Sequence, residues 1–306
     1  MNGLTALIRR NIKLFFKDKG MFFSSLITPL ILLVLYGTFL SNVYEETFRN
    51  SLEAAGTTVP DKLIGGCVSG ELSSSLLAVC CVTVAFLSNM LMVQDKVTGA
   101  RRDLTITPVK GYTLALSYYL ATLFSTLLVC LVAAVVCFLY IGNAGWYLIT
   151  ADVLYLLLDV VLLVLFGTAL SSIVNCCLSS QGQISAVSAI ISAGYGFICG
   201  AYMPISQFSD GLQKVISFLP DTYGTSLLRN HMLRGVFEEM GNQGFPNEIV
   251  EAIKDSVDCN LYFFGEKVAL SNMYFILVVS VMAAVAIYVV INVLFGKKKS
   301  KRSIRT

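Results

Sequence analysis

The chain has 306 residues, 56% of them apolar and only 13% charged, with a formal net charge of +3. Its mean hydropathy of +0.75 excludes an ordinary soluble domain, which needs roughly 25% charged residues to cover its surface. The small net charge matters less than how the charges are distributed, and no nucleic-acid partner is expected.

Residues 1–20 open the chain with Leu4, Leu7, Ile8, Phe15 and Phe16 near one helical face and Arg9, Arg10, Lys13 and Lys17 near the other. This spacing predicts an amphipathic helix on the inner leaflet, basic face toward anionic headgroups; a plain basic juxtamembrane flank is the simpler alternative. No short apolar region ends in a small-residue cleavage site, so no cleavable signal peptide is expected. A first apolar run follows over about Met21 to Val43. Tyr44 to Glu71 reads as an external loop, and a second run covers about Leu72 to Val93. Within that run Thr83, Ser88 and Asn89 add a mild polarity that suits either a cavity lining or bonds to neighbouring backbone. Residues 94–111 form a short charged loop in which Gly99 and Pro108 bound the charged stretch.

The third run covers about Tyr112 to Ile141 and the fourth about Val153 to Cys176. Asp159 lies about two turns into the fourth, one heptad after Asp152. A carboxylate at that depth is costly and a functional candidate by default, unless the helix starts later and Asp159 sits at the interface bonded to a tyrosine such as Tyr155. The fifth run, about Ile184 to Met203, places Ser188, Ser192, Gly196 and Gly200 four residues apart. Such a stripe permits close helix approach, either beside a translocation path or dimer contact or simply within the chain. Residues 204–272 are then external. Pro204 and Pro220 bound an amphipathic piece (Phe208, Leu212, Val215, Ile216, Leu219) that reads as a short re-entrant helix, and the acidic stretch from Phe237 to Lys267 reads as a small external subdomain. The last run covers about Met273 to Phe295 and leads into a basic tail, 296–306.

Each run approaches the roughly 20 residues that cross a ~30 Å hydrocarbon core, and none contains Lys or Arg. The fold class is therefore all-α: a polytopic membrane protein with six spans. Of its 22 Lys and Arg, fifteen fall before the first span, between spans two and three, or in the tail. The positive-inside bias puts both termini in the cytoplasm, and an even span count agrees.

Residues that would carry catalysis are missing. No G-x-x-x-x-G-K-[ST] loop occurs, so the chain is not expected to hydrolyse ATP. The single His231 lacks the clustered thiols or carboxylates of a metal site and reads as surface or interfacial; no metal is expected. Seven cysteines lie in or at the ends of apolar runs. Cys67 and Cys259 fall in segments read as external, where a disulfide or two free thiols both remain open.

Two local patterns, in order between the spans, resemble the permease subunit of type-2 ABC transporters. Asp95, Gly99, Arg101, Arg102, Leu104, Thr107 and Pro108 are similar to that family's acidic-x-x-x-Gly loop with its Leu-x-x-Thr-Pro ending, although the family more often has Glu at the position of Asp95. Gly200, Pro204, Leu212, Pro220, Tyr223, Leu228 and Arg229 are similar to a second pattern. The resemblance implies an exporter of the bacterial type, in which a separate ATP-binding subunit uses ATP and Mg while this chain binds no cofactor. It also implies that Val97 to Leu104 docks on that subunit, and that a second permease copy or paralogue pairs with this one around spans two and five. The site on this reading comprises Asp95, Val97, Gly99, Arg101, Arg102 and Leu104 for coupling. The path or dimer contact comprises Thr83, Ser88, Asn89, Ser188, Ser192, Gly196 and Gly200. The expected cargo is hydrophobic or amphipathic, leaving across the cell membrane; the alternative is a secondary transporter or channel using Asp159.

Overall fold

The structure, a computed structural model, describes residues 3–53, 60–106 and 109–303. Positions 54–59 of the expected external loop, Thr107 and Pro108, and the last residues of the tail lie outside the described residues.

Helix α1 (Gly3–Lys17) buries Leu7, Asn11 and Phe15 and leaves Arg9, Lys13 and Lys17 exposed. Its apolar face therefore packs on the helix bundle as well as toward the membrane, and Asn11 Nδ2 donates to Ser117 Oγ at 3.4 Å. Asp18 then caps α2 (Lys19–Leu35) by accepting from the Met21 amide at 3.0 Å, which satisfies one of the free N–H groups at the helix start. Pro29 lies inside α2, and a π-helical turn, Tyr36–Leu40, joins it to α3 (Ser41–Glu53). Both features let the first span bend along its neighbours.

Helix α4 (Asp61–Val97) has 37 residues, about 55 Å of helix. Its most apolar stretch is entirely buried inside the chain, whereas half or less is buried in each of the other spans. Small side chains make this axial position possible: Gly66, Gly70, Ser73, Ser74, Ser75, Ala78, Cys80 and Cys81 let neighbours approach closely. Gly167 on α7 (Thr150–Cys177) shows how closely, because a Cβ there would lie 2.9 Å from the Cys81 carbonyl oxygen. Helices α6 (Gly111–Ala144) and α12 (Leu270–Ser303) complete the ring with α2 and α7, presenting Leu139, Leu154 and Phe275 outward. A short helix, α5 (Ala100–Ile106), links α4 to α6.

Among the described residues, five helical segments are long and apolar enough to cross a membrane: 19–46, 61–97, 111–144, 150–177 and 270–292. The expected fifth span is α8 (Gln181–Ile198), with only 18 residues, or about 27 Å. Gln181, Gln183 and three serines lower its hydropathy, and a capping box made by Ser180 and Gln183 starts it late.

The inserted element after α8 is longer than expected. Pro204 precedes a 3-10 turn, Ile205–Gln207; α9 (Asp210–Ile216) is a seven-residue piece with Leu212 and Val215 exposed; and Pro220 opens α10 (Pro220–Asn242). A proline fits this first helical position because its missing N–H has no intrahelical partner there anyway. Helix α10 runs antiparallel to α4, placing Arg229 against Ser75, Leu233 against Gly70 and Val236 against Gly66. Most of α10 is thus inside the bundle, with Glu238, Gly241 and Asn242 exposed, and His231, read as surface or interfacial, is buried. Hydropathy could not show this, because Arg229, His231 and Arg234 of α10 pair with carboxylates elsewhere in the chain. Helix α11 (Asn247–Ser256) and a hairpin of β1 (Tyr262–Phe263) and β2 (Glu266–Lys267) cap that end. There Lys254 and Lys267 hold Glu251 down to about 2. We call this the acidic end, and the opposite end, with α1 and α5, the basic end. Cys67 and Cys259 are both buried and both free thiols.

Candidate functional site

At the basic end, α4 stops at Thr98 and Gly99 takes a φ of +86°, a conformation that glycine adopts without a Cβ penalty. That turn sends α5 out of the bundle axis. Val97, the last residue of α4, is 43% exposed, and along α5 Ile106 is 78% exposed, Arg102 exposed and Arg101 half-buried. Neither guanidinium is hydrogen-bonded among the described residues. Leu104 instead packs inward with Leu7, Leu91 and Leu114.

Asp95 faces inward as well. Its carboxylate accepts from Arg10 Nη1 at 2.7 Å and Nη2 at 3.1 Å, and from the Tyr118 hydroxyl at 2.5 Å. The two-pronged arginine contact is the strong, oriented kind. Asp95 thus ties α1 and α6 to the last turn of the axial helix. One residue on, Lys96 Nζ donates to the carbonyls of Asn175, Cys176 and Leu178 at 3.2, 2.7 and 2.9 Å, capping the negative end of α7. The sequence pointed to Asp95 but not to Arg10, Tyr118 or Lys96. Arg10 stood out only as one basic residue among several.

The polar residues of α4 also face inward. Thr83 Oγ1 donates to the Val79 carbonyl at 2.7 Å, and Asn89 Nδ2 to Ser171 and Ser172 of α7 at 3.1 and 2.9 Å. Thr122 of α6 donates to Asn89 Oδ1 at 3.3 Å. Ser88 Oγ is buried and makes no bond among the described residues. Of these, Asn89 fastens α4 to α6 and α7, while Thr83 bonds within α4.

The stripe on α8 turns toward the chain too. Ser188 Oγ contacts Met90 Sδ at 3.0 Å, the Ser192 carbonyl accepts from Tyr202, Gly196 lies against the Tyr202 ring, and the Gly200 carbonyl accepts from Arg229 at 2.8 Å. A second set of small residues, Ser185, Ala189 and Ala193, is the exposed one. Between α2, α4 and α8, at the basic end, opens a cavity of about 310 Å³ lined by Met21, Ser24, Leu87, Met90, Gln94 and Ser188 among others.

Toward the acidic end the charges are buried and matched. Arg229, fully buried, donates to Glu71 at 2.8 Å, Asp258 at 3.1 Å and Ser75 at 3.1 Å. Burial pushes the Asp258 carboxyl up from the ordinary carboxylate range, while Arg229 and the Ile205 amide pull it down. Asp159, also fully buried, bonds His231 Nδ1 and the Tyr274 hydroxyl, each at 2.7 Å. The carboxylate that the sequence marked therefore pairs with the one histidine, 72 residues away, and the expected tyrosine partner is Tyr274 rather than Tyr155, which instead stacks on the His231 ring at 5.1 Å. Asp152, seven residues before Asp159, binds Arg234 at 2.8 Å. Among the described residues no group of three or more His, Cys, Asp or Glu could hold a metal ion.

A family model described as "ABC-2 type transporter" matches residues 2–233, which takes in α1 through most of α10. No curated protein matches the chain.

Proposed function

The chain belongs to the ABC-2 type transporter family and is a multi-pass ABC permease subunit; from that premise we propose that it forms the membrane half of an ATP-driven exporter. ATP is hydrolysed by a separate subunit, with Mg, and the cargo is a hydrophobic or amphipathic molecule moved outward across the cell membrane. The basic end faces the cytoplasm and the acidic end the exterior, as the lysines and arginines of the loops favour.

One observation supports this reading above the others. Helix α5 stands at the basic end with exposed Ile106, next to exposed Val97 at the end of α4 and beside two arginines that have no carboxylate partner among the described residues. An apolar contact flanked by unpaired guanidinium groups suits a docking surface for a partner with an acidic-rimmed groove. The Asp95–Arg10–Tyr118 cluster would pass a push on α5 into α1, α4 and α6 as one unit. The cavity between α2, α4 and α8 suits entry of cargo from the same side. A second permease, identical or paralogous, would pack against the exposed Ser185, Ala189 and Ala193 of α8 and close a path between the copies.

The test is co-expression with a chain that carries a phosphate-binding G-x-x-x-x-G-K-[ST] loop and is encoded beside this one. The two should co-purify in detergent at a fixed ratio, and the complex should hydrolyse ATP. A permease that purifies alone and transports without ATP would contradict the reading.

A further inference from the structure

A cavity of about 860 Å³ opens at the acidic end between α7, α10, α11 and α12. Its charged lining is already closed on itself. Arg234 binds Asp152 and Glu238, and Glu251 binds Lys254 and also Lys267. Three cations thus meet three carboxylates, all in ion pairs. Asp159 lies behind the His231 ring, held by that ring and by Tyr274.

The polar groups left over bring no unmatched charge, since His231 is paired with Asp159. His231 is buried and bonded through Nδ1, so Nε2 is the ring atom left for the cavity that the residue lines. The Tyr155 hydroxyl, the Ser271 hydroxyl and the Asn247 carboxamide also line it, and none is hydrogen-bonded among the described residues. The aromatic faces of Tyr155, stacked on His231, and Phe237, under Lys254, complete the wall. On the same helices, Leu154 and Leu158 of α7 and Phe275 of α12, close in sequence to the lining residues Tyr155 and Tyr274, are exposed apolar side chains.

We propose that this cavity binds the neutral, polyhydroxylated headgroup of an amphiphile, a sugar-headed lipid or a molecule built like one. An ionic headgroup would bring an uncompensated charge, or would have to break an existing pair, which at Arg234 leaves the buried Asp152 carboxylate unmatched. A neutral polyol makes neither demand. Its hydroxyls donate and accept, which matches an imidazole nitrogen, two hydroxyls and a carboxamide, and its apolar ring faces suit the aromatic walls. Leu154, Leu158 and Phe275 take the tail. The site stands apart from α5 and from the cavity at the basic end, and does not depend on the direction of transport or on the partner ATPase.

The test uses the full chain in phosphatidylcholine nanodiscs, with octyl β-glucoside, octyl sulfate, octylamine and free glucose as probes below their micellar concentrations. Saturation-transfer NMR reads binding. Octyl β-glucoside should bind saturably and about tenfold tighter than either charged probe, and Asn247→Leu with Ser271→Leu should weaken it about tenfold. Both positions are exposed, so this pair leaves folding intact, whereas His231→Phe strands the buried Asp159 carboxylate. Equal or tighter binding of a charged probe, or affinity unchanged by the double substitution, overturns the proposal. Free glucose binding as tightly as octyl β-glucoside also overturns it, since the tail would then contribute nothing.

Discussion

At the acidic end Arg229, His231 and Arg234 all turn onto carboxylates of other helices, whereas at the basic end Arg101 and Arg102 meet none among the described residues. The first arrangement locks α10 into the bundle: each of these side chains is held by a carboxylate of its own chain. The second leaves positive charge on a helix that projects away from the core. Charge that a chain pairs internally serves its own architecture. Charge that it leaves unpaired beside exposed apolar side chains is available to another molecule.

The contrast breaks most severely at Arg229. Arg229→Met strands Glu71 and Asp258 in the interior, and should cost about 3–5 kcal/mol, read as a large fall in thermal midpoint in detergent. Adding Glu71→Gln and Asp258→Asn should recover most of that loss. Failure to recover would mean that Arg229 acts through packing rather than charge. A smaller effect belongs to the axial helix. Gly167→Val drives a branched side chain into the Cys81 backbone and should destabilise by about 1–3 kcal/mol without touching any ion pair.

At the basic end, Asp95→Asn keeps the side-chain shape but loses the charge that holds Arg10. Since Arg10 is partly exposed, the loss should be about 1 kcal/mol. It should appear as faster amide hydrogen exchange in α1, with co-purification of the partner unchanged and stimulation of its ATPase reduced. The smallest effect is at Glu251. Its folded value of about 2 lies below the ~4.3 of an unfolded glutamate. Its contribution is therefore complete above about pH 4.3 and is lost as the pH falls toward 2. Hydrogen exchange in α11 should rise over that window in the wild type, and Glu251→Gln should abolish the change.

Much of this was legible from the residues. The long apolar runs marked α2, α4, α6, α7 and α12, because hydropathy reports a property each segment carries by itself. The burial of α10 was not legible. Its polar residues fit a solvated helix equally well, and only Glu71, Asp159 and Asp258, brought near by the fold, reveal them as internal. The stripe on α8 was visible, but a period of four cannot say which neighbour it faces; Met90 and Tyr202 decide that. Asp95 was visible as an acidic residue before a glycine. Its partner Arg10 was hidden by a separation of 85 positions.

The most direct measurement is the ATPase rate of the reconstituted permease–ATPase complex carrying Arg101→Glu and Arg102→Glu, beside a thermal melt of the permease alone. A docking role for α5 predicts loss of co-purification and of permease-dependent ATPase stimulation, with the melt unchanged. Wild-type assembly and stimulation in the double variant would contradict it.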